Sequence, residues 1–578
     1  MAKQTVEDIK ARSNSLRGTI VETLQSDAHH FSETDLQLLK FHGSYQQDDR
    51  DCRMERKRAG LEKAYIFMVR NKMAGGDITA EQYLAHDRIA GSLSNGTLRI
   101  TTRQGIQFHG IQKNGLKETI ASIEKSGLTT SGACGDVVRN TMAPSAPFNT
   151  PEHRDAQKLA HELSLAFLAH SSAYMEIWAN GEKIDLDSRP NLKDEEPIYG
   201  KVYLPRKFKI GIAIPPCNDV DIYAQDLGFV PHVEAGEVEG YTVLVGGGFG
   251  MGHGNMHTRP YLARPLFYIQ RADAIDAAVA IVTTQRDFGR RDDRAQARLK
   301  YLIADRGLAW FRAEVESRMR GSTEEAKPLI WKTVQDFLGW HEQGDGKLFV
   351  GVWINEGRIA DTETAKYRSG LRTIFETFAV PARLTPNTNI LFYNIDPAQK
   401  DEFQSTLERF HIAPAKSLTE ARKTAHACVA LPTCGLALSE SERVFPGLMD
   451  KIDGYLDELG LKNEPLLIRM TGCPNGCARP YNADIAFVGR APGKYAVFAG
   501  GSSSGERLGG LERKVATLEE LPEIVRGYLE EFAAGRWPGE SFSNWWGRTH
   551  MNGEEPTSEQ FHVELAQRSA QLAAASVS

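Results

Sequence analysis

Long apolar runs are absent from this 578-residue chain, and no stretch approaches the ~20 residues that a helix needs to cross a bilayer. A dominant sign of charge is absent too. A formal charge of −6 gives no electrostatic reason to expect nucleic acid as a partner. An anionic substrate would have to meet a local positive site. Met1–Gly18, MAKQTVEDIKARSNSLRG, carries charges throughout and has no apolar segment. The expectation is therefore no secretory signal, no membrane partner and a cytoplasmic protein. Cysteine is scarce, with seven in the chain. In a reducing compartment grouped thiols serve as metal ligands or catalysts more often than as disulfides.

What is present is ordinary globular material, 41% hydrophobic and 25% charged with 52 glycines. That length exceeds a single core and suggests roughly four domains at ~150 residues each. Three cysteines, Cys52, Cys134 and Cys217, are scattered and have no partner spacing. The other four, Cys428, Cys434, Cys473 and Cys477, are spaced C-x5-C, then 38 residues, then C-x3-C. Zinc hairpins use tighter C-x2-4-C pairs. A polynuclear cluster is larger than one ion and tolerates looser ligand spacing, and four thiolates are the usual complement of a 4Fe-4S cluster. The segment TGCPNGCARP sets Gly, Pro and Asn around both thiols, a loop whose amides can point at sulfur. Spacing favours a cluster and leaves structural zinc or plain buried thiols open.

The chain also carries an internal duplication. Leu98–Gly110 (LRITTRQGIQFHG) and Ala382–Asn394 (ARLTPNTNILFYN) each read as strand, polar turn and apolar strand. Helical spacing follows both, over Leu116–Lys125 and Gln399–Phe410. Further on, Ala133–Pro147 corresponds to Ala427–Ser439, and Tyr203–Asp219 to Ile468–Val488. Glycine-rich turns then follow at Val245–Gly250 and Ala499–Gly505. The pattern predicts an α+β protein with two pseudo-symmetric halves sharing a site on their axis. It puts Arg139, Lys207 and Lys209 of one half at places where the other carries cysteines. Residues 1–40 read as helix and loop packed on the body, and residues 553–578 as a frayed tail.

Basic residues recur in apolar settings: Arg70 ends AYIFMVR, Arg99 and Arg103 lie in LRITTRQG, and Arg139 in GDVVRNTMAP. Lys207 and Lys209 alternate in LPRKFKIGIAI, so on a strand they project together. Like charges on one face call for an anion between them, although a solvated strand edge also carries lysines. The run QRDFGRRDDRAQARLKY over 285–301 mixes signs at helical spacing and suggests a solvated helix with pairs such as Asp287–Arg291.

Together the segments SNSLRGTI, FHGSYQQDDRD, TTRQGIQFHG, GACGDVVRN, LPRKFK, TTQRDFGRRDDR, ACVALPTC and TGCPNGCARPY resemble the sulfite/nitrite reductase hemoprotein family, in particular its assimilatory sulfite branch. The resemblance runs from about Ser13 to Gly547. It implies siroheme coupled to a 4Fe-4S cluster through one shared thiolate, with Cys477 as the bridge and axial to the siroheme iron. Cys428, Cys434 and Cys473 would be the other cluster ligands. It implies six-electron reduction of sulfite to sulfide without release of intermediates. The anion-binding side chains would be Arg70, Arg139, Lys207 and Lys209. Siroheme carries eight carboxylates, for which Arg99, Arg103, Gln107, His109, Arg298 and Lys300 would be contacts.

The implied fold is a three-domain α+β body with pseudo-twofold symmetry and siroheme at the domain interface. Residues 1–50 would form an extension. Residues 51–150 and 345–420 would be paired ferredoxin-like half-repeats, 151–344 the siroheme and anion-binding repeat, 421–550 the cluster-binding repeat, and 551–578 a tail. Ferredoxin-type nitrite reductase is the near rival. There the second lysine is typically asparagine, whereas Lys209 is lysine here. A non-catalytic protein with a structural four-cysteine zinc site is the rival from another class. VGGGFGMGHG lacks the strand–turn–helix context of a nucleotide site. Electrons would therefore arrive from another protein, ferredoxin slightly ahead of a separate NADPH-oxidising flavoprotein.

Overall fold

The structure, a computed structural model, describes residues 5–169, 196–502 and 504–551. Both expected hairpins form. Ile100 pairs with Ile106 in one and Leu384 with Ile390 in the other. In each, the residue that opens the turn donates its N–H across to the residue that closes it, Thr101 to Gly105 at 2.8 Å and Thr385 to Asn389 at 2.9 Å. The helices Leu116–Lys125 and Lys400–Arg409 follow as the spacing predicts.

Each hairpin sits in its own five-stranded sheet. One orders Ser44–Asp48, Tyr65–Arg70, Ile106–Ile111, Leu98–Ile100 and Arg358–Ile359. The other orders Gly339–Glu342, Leu348–Val352, Ile390–Ile395, Ala382–Leu384 and Asp77–Ile78. The last strand of each comes from the opposite half. Arg358–Ile359 pairs with Arg99 and Leu98, and Asp77–Ile78 pairs with Arg383 and Ala382. The exchange covers an edge on both sheets that would otherwise leave unpaired N–H and C=O groups. The helices Ala80–Leu93 and Tyr367–Phe378 then bring Tyr83 and Phe375 together, stacked at 4.2 Å in one continuous core.

The second half of each repeat is a mixed sheet. Ile210–Ile212 runs parallel to Leu227–Glu234, with two antiparallel strands beyond it, Glu237–Val245 and Arg264–Gln270. Ile468–Thr471 likewise runs parallel to Ile485–Ala491, with Lys494–Ala499 and Gly510–Thr517 beyond. The parallel pairs Ile210–Leu227 and Ile468–Ile485 span the same length of chain. Details repeat as well. Asp226 accepts the Lys209 N–H at 2.9 Å, and Asp484 accepts the Leu467 N–H at 2.8 Å. Asp221 and Arg479 both adopt left-handed backbone, with φ of 50° and 54°.

That register corrects one expectation. Lys207 and Lys209 fall level with Pro465 and Leu467, and Cys473 and Cys477 fall level with Pro215 and Asp219. Arg139 falls level with Lys423, because Met142 bridges Gly211 as His426 bridges Arg469. Strand pairing, which sets the true equivalence, does not follow the charge pattern. The 285–301 run is also not one solvated helix. The helix Ala274–Phe288 stops before Gly289, and Arg291 reaches Glu7 and the Tyr203 carbonyl while Asp287 takes Arg286 and Arg318. The N-terminal segment is helical and docked, with Lys10 Nζ on the Leu204 carbonyl at 3.0 Å. The frayed tail expected at 553–578 lies outside the described residues.

Candidate functional site

The cysteine loops are set by close backbone approach. A Cβ added at Gly472 would fall 2.5 Å from Ala430 Cβ and 2.7 Å from the Ser439 carbonyl. The absence of a side chain there lets the Gly472 N–H reach Cys428 Sγ at 3.3 Å. Asn475 Nδ2 stands 3.6 Å from Cys473 Sγ, and Thr471 Oγ1 stands 3.5 Å from Cys428 Sγ. Amide and hydroxyl groups thus face sulfur, as the composition of the loop suggested. Burial, then the neighbouring Cys477, pushes the Cys428 thiol up to about 11 and the Cys473 thiol up to about 12. Cys434 is raised for the same two reasons. The four sulfurs therefore share one field, with Cys477 the exposed member and Cys473 buried. Among the described residues, no trio of His, Cys, Asp or Glu closes on a point that would hold one metal ion.

Across from Cys477 stands the basic group. Arg70 feels both Cys477 and Cys434, and its Nη1 reaches Cys134 Sγ at 3.3 Å. With its amide turned, Gln107 accepts from Arg70 Nε at 2.9 Å, so Gln107 positions Arg70. Arg139 is held by the Gly135 and Ala133 carbonyls at 2.9 and 3.3 Å. Lys207 and Lys209 are half-buried, and neither ammonium has an ion-pair or hydrogen-bond partner among the described residues. Loss of solvent, then Arg206, Arg139 and Arg298, brings Lys207 down to about 7, against a small opposing pull from Cys477. Lys209 is depressed as well, by burial first and then by Arg298 and Arg103. Lys207 thus lies in the field of Cys477 and Arg139, and Lys209 in that of Lys207, a basic cluster that a bound anion would relieve.

The remaining expected contacts are brought near, but most are already engaged within the protein. Arg298 grips Asp226 at 2.6 Å, and Lys300 Nζ bonds the carbonyls of Gly248 and Gly250 at 2.9 and 3.0 Å. These two side chains brace the glycine turn that follows the first mixed sheet. Arg99 is shared between Glu442 at 3.0 Å and the Ala427 carbonyl at 2.7 Å. His109 is buried against Arg358 and kept neutral, its pKa pushed well down by burial and then by that guanidinium. Arg103 bonds Gln225 at 2.7 Å and the Ile210 carbonyl at 3.1 Å, yet its Nε has no partner.

Sequence reasoning passed over the junction that holds the site together. Arg479, two residues beyond Cys477, bonds Asp221, the Thr102 carbonyl at 3.0 Å and the Pro386 carbonyl at 3.1 Å. Those partners lie in three other parts of the chain: the first mixed sheet and both hairpin turns. Arg469 adds a second bond to Asp221 at 3.0 Å, and Asn482 a third at 3.0 Å. Asp221 and Arg479 are equivalent positions of the duplication, so this ion pair sits on its axis. Thr102 Oγ1 donates to the Cys477 carbonyl at 3.1 Å, which ties the hairpin to the cysteine loop. The only signal in the sequence was the arginine in CARP.

A sequence model described as the nitrite and sulphite reductase 4Fe-4S domain matches residues 137–322. Another, the nitrite/sulfite reductase ferredoxin-like half domain, matches residues 59–126 and again 341–410. The sulfite reductase (NADPH) hemoprotein beta-component of Staphylococcus saprophyticus is 44% identical over 96% of this chain and 97% of its own length. The beta-component of Oceanobacillus iheyensis is also 44% identical, over 96% of both chains. The solved structure of the Mycobacterium tuberculosis NirA protein shares the fold, with a TM-score of 0.77 at 22% identity over 95% of this chain and 97% of that one. With the fold, the duplicated half domain and the full-length relatives in agreement, this chain belongs to the nitrite and sulfite reductase family.

Proposed function

We propose that this chain reduces sulfite to sulfide by six electrons, at a siroheme coupled to a 4Fe-4S cluster through a shared cysteine thiolate, in the assimilation of sulfur for cysteine biosynthesis. One observation carries the reading: Arg70 and Lys207 both lie in the field of Cys477, with Arg139 acting on Lys207 and Lys207 on Lys209.

The donor set fits both groups. Cys428, Cys434 and Cys473 resist ionisation on their own, in loops already aiming amides at sulfur, and bound iron would hold them as thiolates. Cys428, Cys434, Cys473 and Cys477 would hold the cluster, and Cys477 would also serve the siroheme. When bound, these groups supply the electrons and the iron to which the sulfur of the anion attaches. The protein does the rest. Arg70 and Arg139 keep their charge and orient the oxygens of the anion. Lys207 and Lys209, depressed by burial and then by their basic neighbours, hand protons to departing oxygens. We divide the chain accordingly, with 51–150 and 345–420 as one paired domain whose sheets also take in the strands Ser44–Asp48 and Gly339–Glu342 from outside those bounds, 151–344 the anion-binding repeat and 421–550 the cluster repeat.

The curated relatives are named for NADPH and as a beta-component. The sequence alone puts ferredoxin slightly ahead. Those names favour a separate NADPH-oxidising flavoprotein subunit as electron donor. No helix among the described residues is long and apolar enough to cross a membrane.

The test is turnover by the purified protein on sulfite and on nitrite, with reduced methyl viologen as donor, alongside metal analysis. Zinc without iron and no visible absorption would sink the reading. Lys209→Asn should shift the sulfite-to-nitrite ratio of kcat/KM toward nitrite on the order of tenfold, the worth of one charge-assisted contact. An unchanged ratio removes Lys209 as the basis for choosing the anion. Lys207 is protonated only below about 7. The kcat/KM for sulfite should therefore fall as pH rises through that value, and Lys207→Met should flatten that limb.

A further inference from the structure

Cys134 has no partner spacing in the sequence and no step in the reaction, yet it lies where two of the anion-site cations are held. The residue is fully buried. Arg70 Nη1 donates to its sulfur at 3.3 Å, and the hydroxyl of Tyr45 bonds the same side chain. The residues on either side grip Arg139. Its Nε donates to the Gly135 carbonyl at 2.9 Å, and its Nη1 to the Ala133 carbonyl at 3.3 Å. Three consecutive residues thus fix two guanidinium groups. Tyr45 stands in the field of both, so the two arginines are neighbours.

The turn that carries these acceptors is itself locked. Gly135 has a φ of 86°, and a Cβ added there would stand 2.9 Å from the ring of Phe41. The Gly132 N–H bonds the Phe41 carbonyl at 2.9 Å. The Arg139 N–H bonds the carbonyl of Phe208 at 2.8 Å, and Phe208 lies between Lys207 and Lys209. The turn is therefore tied at one end to the N-terminal segment and at the other to the stretch that carries both lysines. The choice of acceptor matters as much as the geometry. A carboxylate orients a guanidinium but cancels its charge, as Glu442 does for Arg99 and Asp226 for Arg298. Carbonyls orient it without adding a charge, and cysteine sulfur is a weak acceptor that competes little with an incoming oxyanion.

We propose that Cys134 is a positioning residue of the anion site. Its sulfur, together with the carbonyls that flank it, aims Arg70 alongside Arg139 and leaves both charges for the substrate. The inference rests on the reading of these two arginines as anion-binding groups. It gives the buried thiol an effect on sulfite that passes through Arg70 alone.

The experiment uses the full holoenzyme carrying Cys134→Ala, Cys134→Ser, Arg70→Met, or Cys134→Ala and Arg70→Met together. Sulfite affinity is read twice, as KM with reduced methyl viologen as donor and at equilibrium from the visible spectrum during titration with sulfite. Cys134→Ala should weaken both by about tenfold, the worth of one hydrogen bond to a charged group. Its kcat should stay within about twofold of wild type, because the lost interaction orients the bound anion before and during reaction alike. Siroheme and iron contents should match wild type. Cys134→Ser keeps a polar acceptor and should recover most of the affinity. In the Arg70→Met background Cys134→Ala should add nothing, since the group it positions is gone. Additive losses in the double variant overturn the inference, and so does unchanged affinity in Cys134→Ala. Loss of siroheme or iron from Cys134→Ala overturns it as well, by marking Cys134 as a packing residue. A wild-type chain that neither turns over sulfite nor changes its spectrum with it refutes the functional reading itself, and the inference with it.

Discussion

Cys477→Ser should remove both chromophores at once. The purified variant is expected to lose the siroheme and cluster absorption together, to fall well below wild type in iron and acid-labile sulfide, and to lose sulfite turnover by more than ~100-fold. That floor follows because changing even a group that merely orients a metal ligand costs 10–100-fold. The basis is position. Cys477 is the one exposed thiol of the four, it raises the pKa of the other three, and it is also within the field of Arg70 and Lys207. No other cysteine stands between the two halves of the site in that way. Cys52→Ser is the control, because Cys52 bonds only the Asp49 carbonyl and should leave both spectra intact. A Cys477→Ser protein with a normal siroheme spectrum would refute the shared thiolate.

Asp221→Asn should be the most destabilising single change at the junction. It leaves Arg469 and Arg479, both buried, without their common counter-charge. Breaking a buried ion pair from one side costs about 3–5 kcal/mol, because the partner is left charged and dry. The expected result is a clear drop in the thermal unfolding midpoint, with weaker cluster retention because Arg479 braces the turn after Cys477. The pH dependence has a definite sign. The two guanidinium groups hold the Asp221 carboxyl below its ordinary 3.8, against the opposing effect of burial. A depressed folded-state pKa gives stability that is present above the unfolded value and is lost as pH falls through the folded one. The gap between wild type and Asp221→Asn should therefore be the same at pH 8 and pH 6 and shrink only in acid below about 4. A midpoint shift under 1 °C at neutral pH would show that the axial pair carries no load.

The two hairpins and their helices were legible because alternation and 3.6-residue spacing are local properties. Leu98–Ile100, Ile106–Ile111 and Leu116–Lys125 formed where the pattern put them, and their second copies did too. The cysteine loops were legible because Gly, Pro and Asn around paired thiols dictate a turn whatever surrounds it. Equivalence of the basic residues with the cysteines was misread. Pattern matching aligned like with like along the chain, whereas strand register, which depends on the partner strand, put Leu467 level with Lys209.

Sequence by itself determined the duplication, the four thiols, and the presence of Arg70, Arg139, Lys207 and Lys209 in strand-like apolar settings. It also carried the family signature. Tertiary structure alone decided which cations are spent on the protein and which are left for a ligand. Arg99, Arg298 and Lys300 look no different in the sequence from Lys207 and Lys209. The difference is made by Glu442, Asp226 and the Gly248 carbonyl, brought to them from far along the chain or across another strand. Exchange of the strands Asp77–Ile78 and Arg358–Ile359, and the meeting of Asp221 with Arg479 on the axis, were likewise beyond local pattern. Pairing and desolvation are set by what folds against a side chain, and that is a property of the whole fold.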